Sequence, residues 1–472
     1  MKKKVLSMLL STIMVAGMLA GCGSNNAGET KTDDAKDTAT DAAATEDTAD
    51  TSDTAEAGAE GGQVYYMNFK PEVADVWEKL AKLYTDETGT PVKVVTAASG
   101  DYEQTLKSEI VKSDAPTLFQ INGPVGYSNW KDYCLDLSDT QLASWLLSDD
   151  LAVKGDDGKI YGIPYVEEGY GIIYNDAIMQ KYFAMDGAVA KSMDEVNNFD
   201  KLKAVVEDMQ AKAADLGIEG VFASTSLTPG EDWRWQTHLA NLPIYYEFKD
   251  KGISDADAID LTYVDNYKNI FDLYINNSCT APTMLGSMSV EDSMAEFALG
   301  QCAMVQNGNW AWGQISGIDG NTVAAEDVKF LPIYTGVSGE EGQGLCIGTE
   351  NFFCINSQAS EADQKASIAF VEWVFSSDTG KDYVTNKLGF IAPFNTFTDD
   401  EKPSDPLAQE VIRYMGDTSK TSVSWNFTAF PSQTFKDNLG AALLEYAQGT
   451  GEWDSVVTAF KDGWASEKAA AK

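Results

Sequence analysis

Histidine is almost absent from this sequence, since His238 stands alone. One imidazole cannot build a histidine-based metal cluster, so H-E-x-x-H sites and their relatives are excluded. No C-x-x-C pair, P-loop or G-x-S-x-G elbow occurs, and the nucleotide-binding and serine-hydrolase chemistries those motifs serve lose their usual support. Positive charge is scarce: 34 Lys and Arg stand against 73 Asp and Glu, a net charge of -39. So acidic a body repels nucleic acid and anionic lipid headgroups, which argues against a polyanionic partner. It leaves a neutral ligand open. What remains is globular material, 44% hydrophobic and 11% aromatic, long enough for two domains.

The first residues form a separate unit. Lys2, Lys3 and Lys4 precede an apolar stretch from Val5 to about Leu19, and Leu19-Ala20-Gly21-Cys22 follows. Charge, length and small-residue end are those of a secretory signal over 1–21. The apolar stretch is shorter than the roughly 20 residues a stable span needs. The tetrad resembles a bacterial lipobox, which implies cleavage before Cys22, a lipid on its sulfur and anchorage on the outer face of the cytoplasmic membrane. Residues 22–62 are built from Ala, Asp, Glu, Thr, Gly and Ser. Such a segment buries too little apolar area to offset its ordering entropy and is expected to be a disordered acidic spacer. Beyond Cys22 the cysteines are Cys134, Cys279, Cys302, Cys346 and Cys354, an odd number. Export permits disulfides without requiring them; mostly buried free thiols are expected.

Order begins near Gln63. Val64–Phe69 reads as a strand, and Pro71–Thr88 carries Val73, Val76, Leu80, Leu83 and Tyr84 at helical spacing, with Gly89 where a C-terminal cap belongs. Val92–Thr96 and Leu118–Ile121 read as strands flanking a helix over Asp101–Ser113. This alternation predicts an α/β unit with a largely parallel sheet. Further strands are expected at Ile160–Pro164, Gly171–Asn175, Gly220–Ser224 and Cys302–Gln306, and a hairpin at Gly344–Asn356. Helices are expected at Phe199–Leu216, Tyr263–Asn277, Val290–Leu299, Glu361–Phe375 and Ser432–Gln448.

Two patterns could carry function. Glu167-Glu168 is a carboxylate pair of the kind glycosidases need, although neighbours on an extended segment point to opposite faces. The other is aromatic. Trp130, Trp233, Trp235, Trp310, Trp312 and Trp425 lie in or beside predicted loops, several next to Asn129, Asp232, Asn309 or Asn426. Pyranose rings have apolar faces that stack on indole and hydroxyls that take planar polar partners. On loop placement, Asp232, Trp233, Asn309, Trp425 and Asn426 are candidates. His238 follows Arg234-Trp235 and is expected in a loop or the core.

At Ala303-Met304-Val305-Gln306-Asn307-Gly308-Asn309-Trp310 the chain resembles the A-M-x-x-x-G-x-W signature of carbohydrate-binding extracellular solute-binding proteins, the maltose-binding-protein-like superfamily. Gly158–Tyr165 is similar to its "dGkvYgiP" stretch, Tyr174-Asn175 to its "YN", and Lys387–Pro393 to its late "G-x-x-P" crossover. The resemblance implies a two-lobed, periplasmic-binding-protein-like α/β fold with the ligand in the cleft between lobes. One lobe would take 63–166 and 345–391, the other 167–344 and 392–472, with crossovers near Glu167, Gly344–Asn351 and Ala392. It implies a binding protein rather than an enzyme, without metal or cofactor. It would be a monomer that hands a carbohydrate, as an oligosaccharide, to the membrane permease of an ABC importer. By position Trp310 would be the stacking platform and Trp312 would pack behind it. Glu168 would meet sugar hydroxyls from the hinge strand. Asn68 and Phe69 after the first strand, Asn122 and Gly123 after the third, and Asp101 after Ser99-Gly100 would approach the ligand. A surface-anchored glycoside hydrolase and a binder of a non-sugar solute such as a polyamine or peptide remain as alternatives.

Overall fold

A computed structural model describes residues 61–97 and 101–471. The expected signal segment, the lipidated Cys22, the spacer up to residue 60 and the Ser99-Gly100 turn lie outside the described residues. The strands are β1 (Val64–Asn68), β2 (Val92–Thr96), β3 (Leu118–Asn122), β4 (Val153–Lys154), β5 (Ile160–Pro164), β6 (Glu168–Asn175), β7 (Gly220–Phe222), β8 (Cys302–Gly308), β9 (Val328–Leu331), β10 (Gln343–Gly348), β11 (Asn351–Ile355) and β12 (Thr421–Ser424). They form two sheets, ordered β2-β1-β3-β11-β5-β4 and β12-β10-β6-β8-β7, with β9 paired to β6.

The expected parallel unit is present: β1 runs parallel to β2 and β3. Its first connection is the helix Ala74–Thr88, closed by Gly89 at φ 78, a left-handed value glycine adopts without steric cost. Yet each sheet is mixed. β11 runs antiparallel to β3 and β5, and β6 antiparallel to β8, β9 and β10. These are the strands by which the chain enters one sheet directly from the other. β5 leads into β6 through Tyr165–Glu167, and β10 into β11 through Thr349-Glu350.

The same geometry corrects the hairpin expected at Gly344–Asn356. β10 pairs with β6 and β12, and β11 with β3 and β5. The connecting Thr349-Glu350 offers no Gly or Asn at the positions where a two-residue hairpin loop needs positive φ, so the chain continues into the other sheet. A third passage follows Ile391, whose carbonyl accepts the Glu167 N–H at 2.8 Å, and leads to the helix Pro406–Gly416 against the second sheet.

Each sheet has its own core. Tyr66, Trp77, Phe353 and Phe370 belong to the first, and Tyr170, Trp235, Phe271 and Trp464 to the second. Trp130 and Trp235, expected beside loops, are core residues instead, and the Trp235 indole N–H donates to the Thr225 carbonyl. Trp312 packs on the cluster around Ile315 and Leu345. The expected helix over Phe199–Leu216 breaks at Lys212. The five described cysteines are free thiols, four of them buried. No described helix is long and apolar enough to cross a membrane.

Candidate functional site

The strand ends of the two sheets meet at an ion pair. Lys70 follows β1, and Glu168 opens β6, opposite Gly348 of β10. Lys70 Nζ lies 2.7 Å from Glu168 Oε1 and 3.5 Å from Glu72. Lys70 and Glu168 are 6% and 4% exposed. Burial works against the Lys70 ammonium, but Glu168 and Glu72 outweigh it and push its pKa above the ordinary lysine value. Strand β1 therefore carries a fixed cation into contact with the second sheet.

Aromatic rings surround this pair. Lys70 Nζ is 5.9 Å from the Trp310 ring centre. Trp310 lies 5.9 Å from Trp233 and 5.5 Å from His238. His238 is stacked on Tyr170 at 4.3 Å and 7°, and Trp425 approaches Tyr170 at 5.7 Å. Two glycines make the arrangement possible. A Cβ on Gly308 would sit 2.2 Å from the Trp310 ring, and one on Gly348 would sit 2.7 Å from Trp425. The glycine in A-M-x-x-x-G-x-W thus has a steric reason: the indole two residues later folds flat over its own strand end. Gly308→Val is expected to drive Trp310 off this seat and destabilise the protein by about 1–3 kcal/mol, read as a lower urea midpoint with unchanged slope.

Several polar atoms here are buried without a protein partner: Trp310 Nε1, Trp425 Nε1, Asn426 Oδ1, Gln120 Nε2 and Thr349 Oγ1. Buried polar groups are rarely left so, and their concentration at one junction is that of a surface built to hydrogen-bond something polar. His238 is buried with Nδ1 unpaired. Desolvation, then Arg234, Lys436 and Lys70, hold its pKa well below the usual value, so the ring is neutral.

The structure brings together Glu168, Trp233, Trp310, Trp425 and Asn426 from the sequence candidates, and sorts out others. Asn68 is fully buried, with Nδ2 donating to the Lys70 carbonyl and Thr96 Oγ1, and Oδ1 accepting from Tyr66 and the Lys70 N–H. It shapes the turn after β1 and has no free valence for a ligand. Asn309 Oδ1 accepts the Gly169 N–H at 2.9 Å and holds β6. Phe69 sets its ring on Tyr102 at 5.3 Å, and its N–H donates to Gln120. Asn122 ends β3 with its side chain folded toward Gly126, and Gly123, at φ 71, faces Thr428. Asp101 stands exposed at the head of the helix Tyr102–Glu109 and caps nothing. Loop placement misleads at positions where the backbone itself needs the amide.

Asp232 also turns elsewhere, with its carboxylate against Gly440 of the helix Gln433–Ala447. Burial raises its pKa to about 6. The folded state thus holds this proton more tightly than the unfolded chain, near 3.9. The stabilisation is complete below pH 4 and is lost as pH rises through 6. Asp232→Asn is expected to keep it, so the variant's urea midpoint should gain on the parent's between pH 4 and 7.

Lys70, Arg234 and His238 are the residues that sequence reasoning missed as parts of this junction. Lys70 is one step beyond Phe69, and Arg234 sits between two tryptophans. That neighbourhood was the available signal.

Residues 79–410 match the family model for bacterial extracellular solute-binding proteins. No curated protein matches by sequence. Among solved structures the chain is similar to a chitin oligosaccharide binding protein, with a TM-score of 0.64 and 16% identity over 87% of this chain and 100% of that one. The GacH receptor of Streptomyces glaucescens, solved unliganded and with acarbose, gives a TM-score of 0.61 and 17% identity over 87% and 100%. A sugar transporter from Bacillus licheniformis, in complex with stachyose, gives 0.63 and 14% over 86% and 100%. At these identities the likeness establishes the two-lobed α/β fold.

Proposed function

The chain belongs to the bacterial extracellular solute-binding proteins, and from that premise we propose that it captures an oligosaccharide at the junction of its two sheets and delivers it to an ABC importer. The observation that carries this reading is the seating of Trp310 and Trp425 over Gly308 and Gly348, with both indole N–H groups unpaired. Indole faces suit the apolar faces of sugar rings, and buried unpaired donors suit hydroxyls. That structural relatives carry chitin oligosaccharide, acarbose and stachyose in their descriptions agrees with it.

In this reading the lobes comprise 63–166 with 349–391, and 167–348 with 392–472; the boundary expected at 344/345 moves because β10 (Gln343–Gly348) pairs in the second sheet. They hinge at Tyr165–Glu167, Thr349-Glu350 and the passage after Ile391, and close on the ligand. Cys22 carries lipid and tethers the protein to the outer face of the membrane, leaving the permease as its protein partner. Cys22→Ser is expected to move the protein from the membrane fraction into the medium or the soluble fraction. Affinity is expected to be micromolar, about 7–9 kcal/mol, because cargo must be released. Calorimetric titration of the full chain against an oligosaccharide panel, with mass analysis of the recovered sugar, tests the proposal. Saturable binding of an intact sugar supports it; cleavage of the sugar, or binding confined to polyamines or peptides, rejects it.

A further inference from the structure

Arg234 is a buried cation that forms no ion pair among the described residues. It is 2% exposed and begins the π-helical turn Arg234–Leu239. Its guanidinium carbon lies 3.9 Å from the Trp233 ring centre, and Trp233 in turn flanks Trp310. The segment is anchored, because the Arg234 carbonyl accepts Gln306 Nε2 at 2.8 Å from β8, the strand that ends at Trp310's glycine seat. Yet guanidinium Nε and Nη1 are buried with no hydrogen-bond partner. The acidic groups whose charge it feels are Glu231 and Glu72, and both are engaged elsewhere. Glu231 accepts the Val290 N–H at 2.6 Å, and Glu72 leans on Lys70 at 3.5 Å.

An arginine taken out of water is tolerated when paired and hydrogen-bonded, and is strongly destabilising otherwise. Burial pulls its pKa down to about 9 against the raising effect of Glu231 and Glu72, so it stays charged at neutral pH. A second cation strengthens the local field. Lys436, on the helix Gln433–Ala447, forms no ion pair among the described residues, and its charge reaches His238, Glu103 and Glu350. Glu350 is the carboxyl that could neutralise this field, but burial pushes its pKa up, against Lys436 and Lys70, toward the uncharged form. Lys70 is already matched by Glu168. The junction therefore holds two cations without an ion pair among the described residues, Arg234 and Lys436, inside a protein whose overall charge is -39. The outer acidic surface acts on it weakly, being screened over about 8 Å at physiological salt.

Resting on the saccharide reading above, we propose that the ligand is an acidic oligosaccharide carrying a uronate, whose carboxylate pairs with the unpartnered Arg234 guanidinium while its rings lie against Trp233 and Trp310. A hydroxyl would satisfy the hydrogen bonds of that fork but not its charge. A carboxylate satisfies both in one bidentate contact. A polyamine offers only further cations and donors to a guanidinium that needs an acceptor, so the same observation disfavours cationic ligands.

The test is calorimetry of the full chain against uronate oligosaccharides, such as oligogalacturonates and glucuronate-substituted xylo-oligosaccharides. Each is paired with its carboxyl-reduced counterpart, identical except for an alcohol in place of the acid. Binding of an acidic member at least about 100-fold tighter than its reduced form is expected. Arg234→Gln should bring that ratio close to one by weakening the acidic ligand far more than its reduced form, and Arg234→Lys should restore part of it. Since Arg234→Gln removes an unpaired buried charge, its melting temperature without ligand should equal or exceed the parent's, so lost discrimination would not reflect misfolding. Equal binding of acidic and reduced sugars, or preference for neutral ones, overturns the uronate proposal and leaves the saccharide reading intact. Binding of no sugar of either kind, with polyamine or peptide bound instead, overturns both.

Discussion

Trp310→Ala is expected to weaken saccharide binding by about 100-fold or more, well beyond what its loss of core packing costs in stability. A tryptophan at the centre of a recognition surface commonly carries 2 kcal/mol or more, and 2.7 kcal/mol corresponds to roughly a hundredfold in Kd. The ring is half-buried, lies on Gly308 and keeps its Nε1 unpaired. Truncation removes the surface proposed for the ligand, together with the packing of this ring on the neighbouring core cluster. Trp312→Ala is the internal contrast. Trp312 packs on the cluster with Ile315 and Leu345, so its loss should lower stability and spare affinity. Calorimetry and urea unfolding on both variants measure the two effects separately. A Trp310→Ala protein that binds as the parent does would remove the stacking platform from the proposal.

The second large effect concerns the buried pair. Lys70→Ala is expected to cost about 3–5 kcal/mol of stability, because it leaves the buried Glu168 carboxylate unpaired, and Glu168→Ala somewhat less, because Lys70 keeps Glu72. The double change Lys70→Met with Glu168→Leu should recover most of it, since two charges are then removed together and apolar volume is kept. Urea unfolding of the two single variants and the double variant gives the coupling energy directly. Additive losses would mean that the 2.7 Å contact contributes little, and that Lys70 is stabilised by Glu72 instead. Because β1 belongs to one sheet and β6 to the other, a strong coupling also measures how firmly the two are joined at this point.

Much of the molecule was legible in the chain itself. Hydrophobic period and punctuation are local properties, so β1, β2, β3, β5 and the helices at Ala74–Thr88 and Val290–Ala298 fall where periodicity puts them. The A-M-x-x-x-G-x-W segment was readable because its cause is local: a single residue, Asn309, separates the glycine from the ring that covers it. The π-helical turn at Arg234–Leu239 was not, since neither a period of 2 nor one of 3.6 describes it. The supposed hairpin at Gly344–Asn356 failed for a different reason. Strand partners are chosen by the whole sheet, and β10 and β11 found theirs in different sheets.

The candidate site divides in the same way. Sequence by itself determined which residue types were available: tryptophans beside amides, a single histidine, few cations. It also determined the solute-binding character carried by ordered motifs. Only the tertiary structure decided which polar side chains are already engaged and which are free. Asn68 and Asn309 look like ligands in the sequence, but the backbone of the Lys70 turn and of Gly169 takes their hydrogen bonds. Lys70 and Glu168 are 98 positions apart and touch, whereas Asp232 is next to Trp233 and faces another helix. The physical reason is that a buried polar group must find its partner in three dimensions. Sheet register and the passages between sheets set those distances, and the residues left over, Arg234 foremost, are known only once every other pairing has been made.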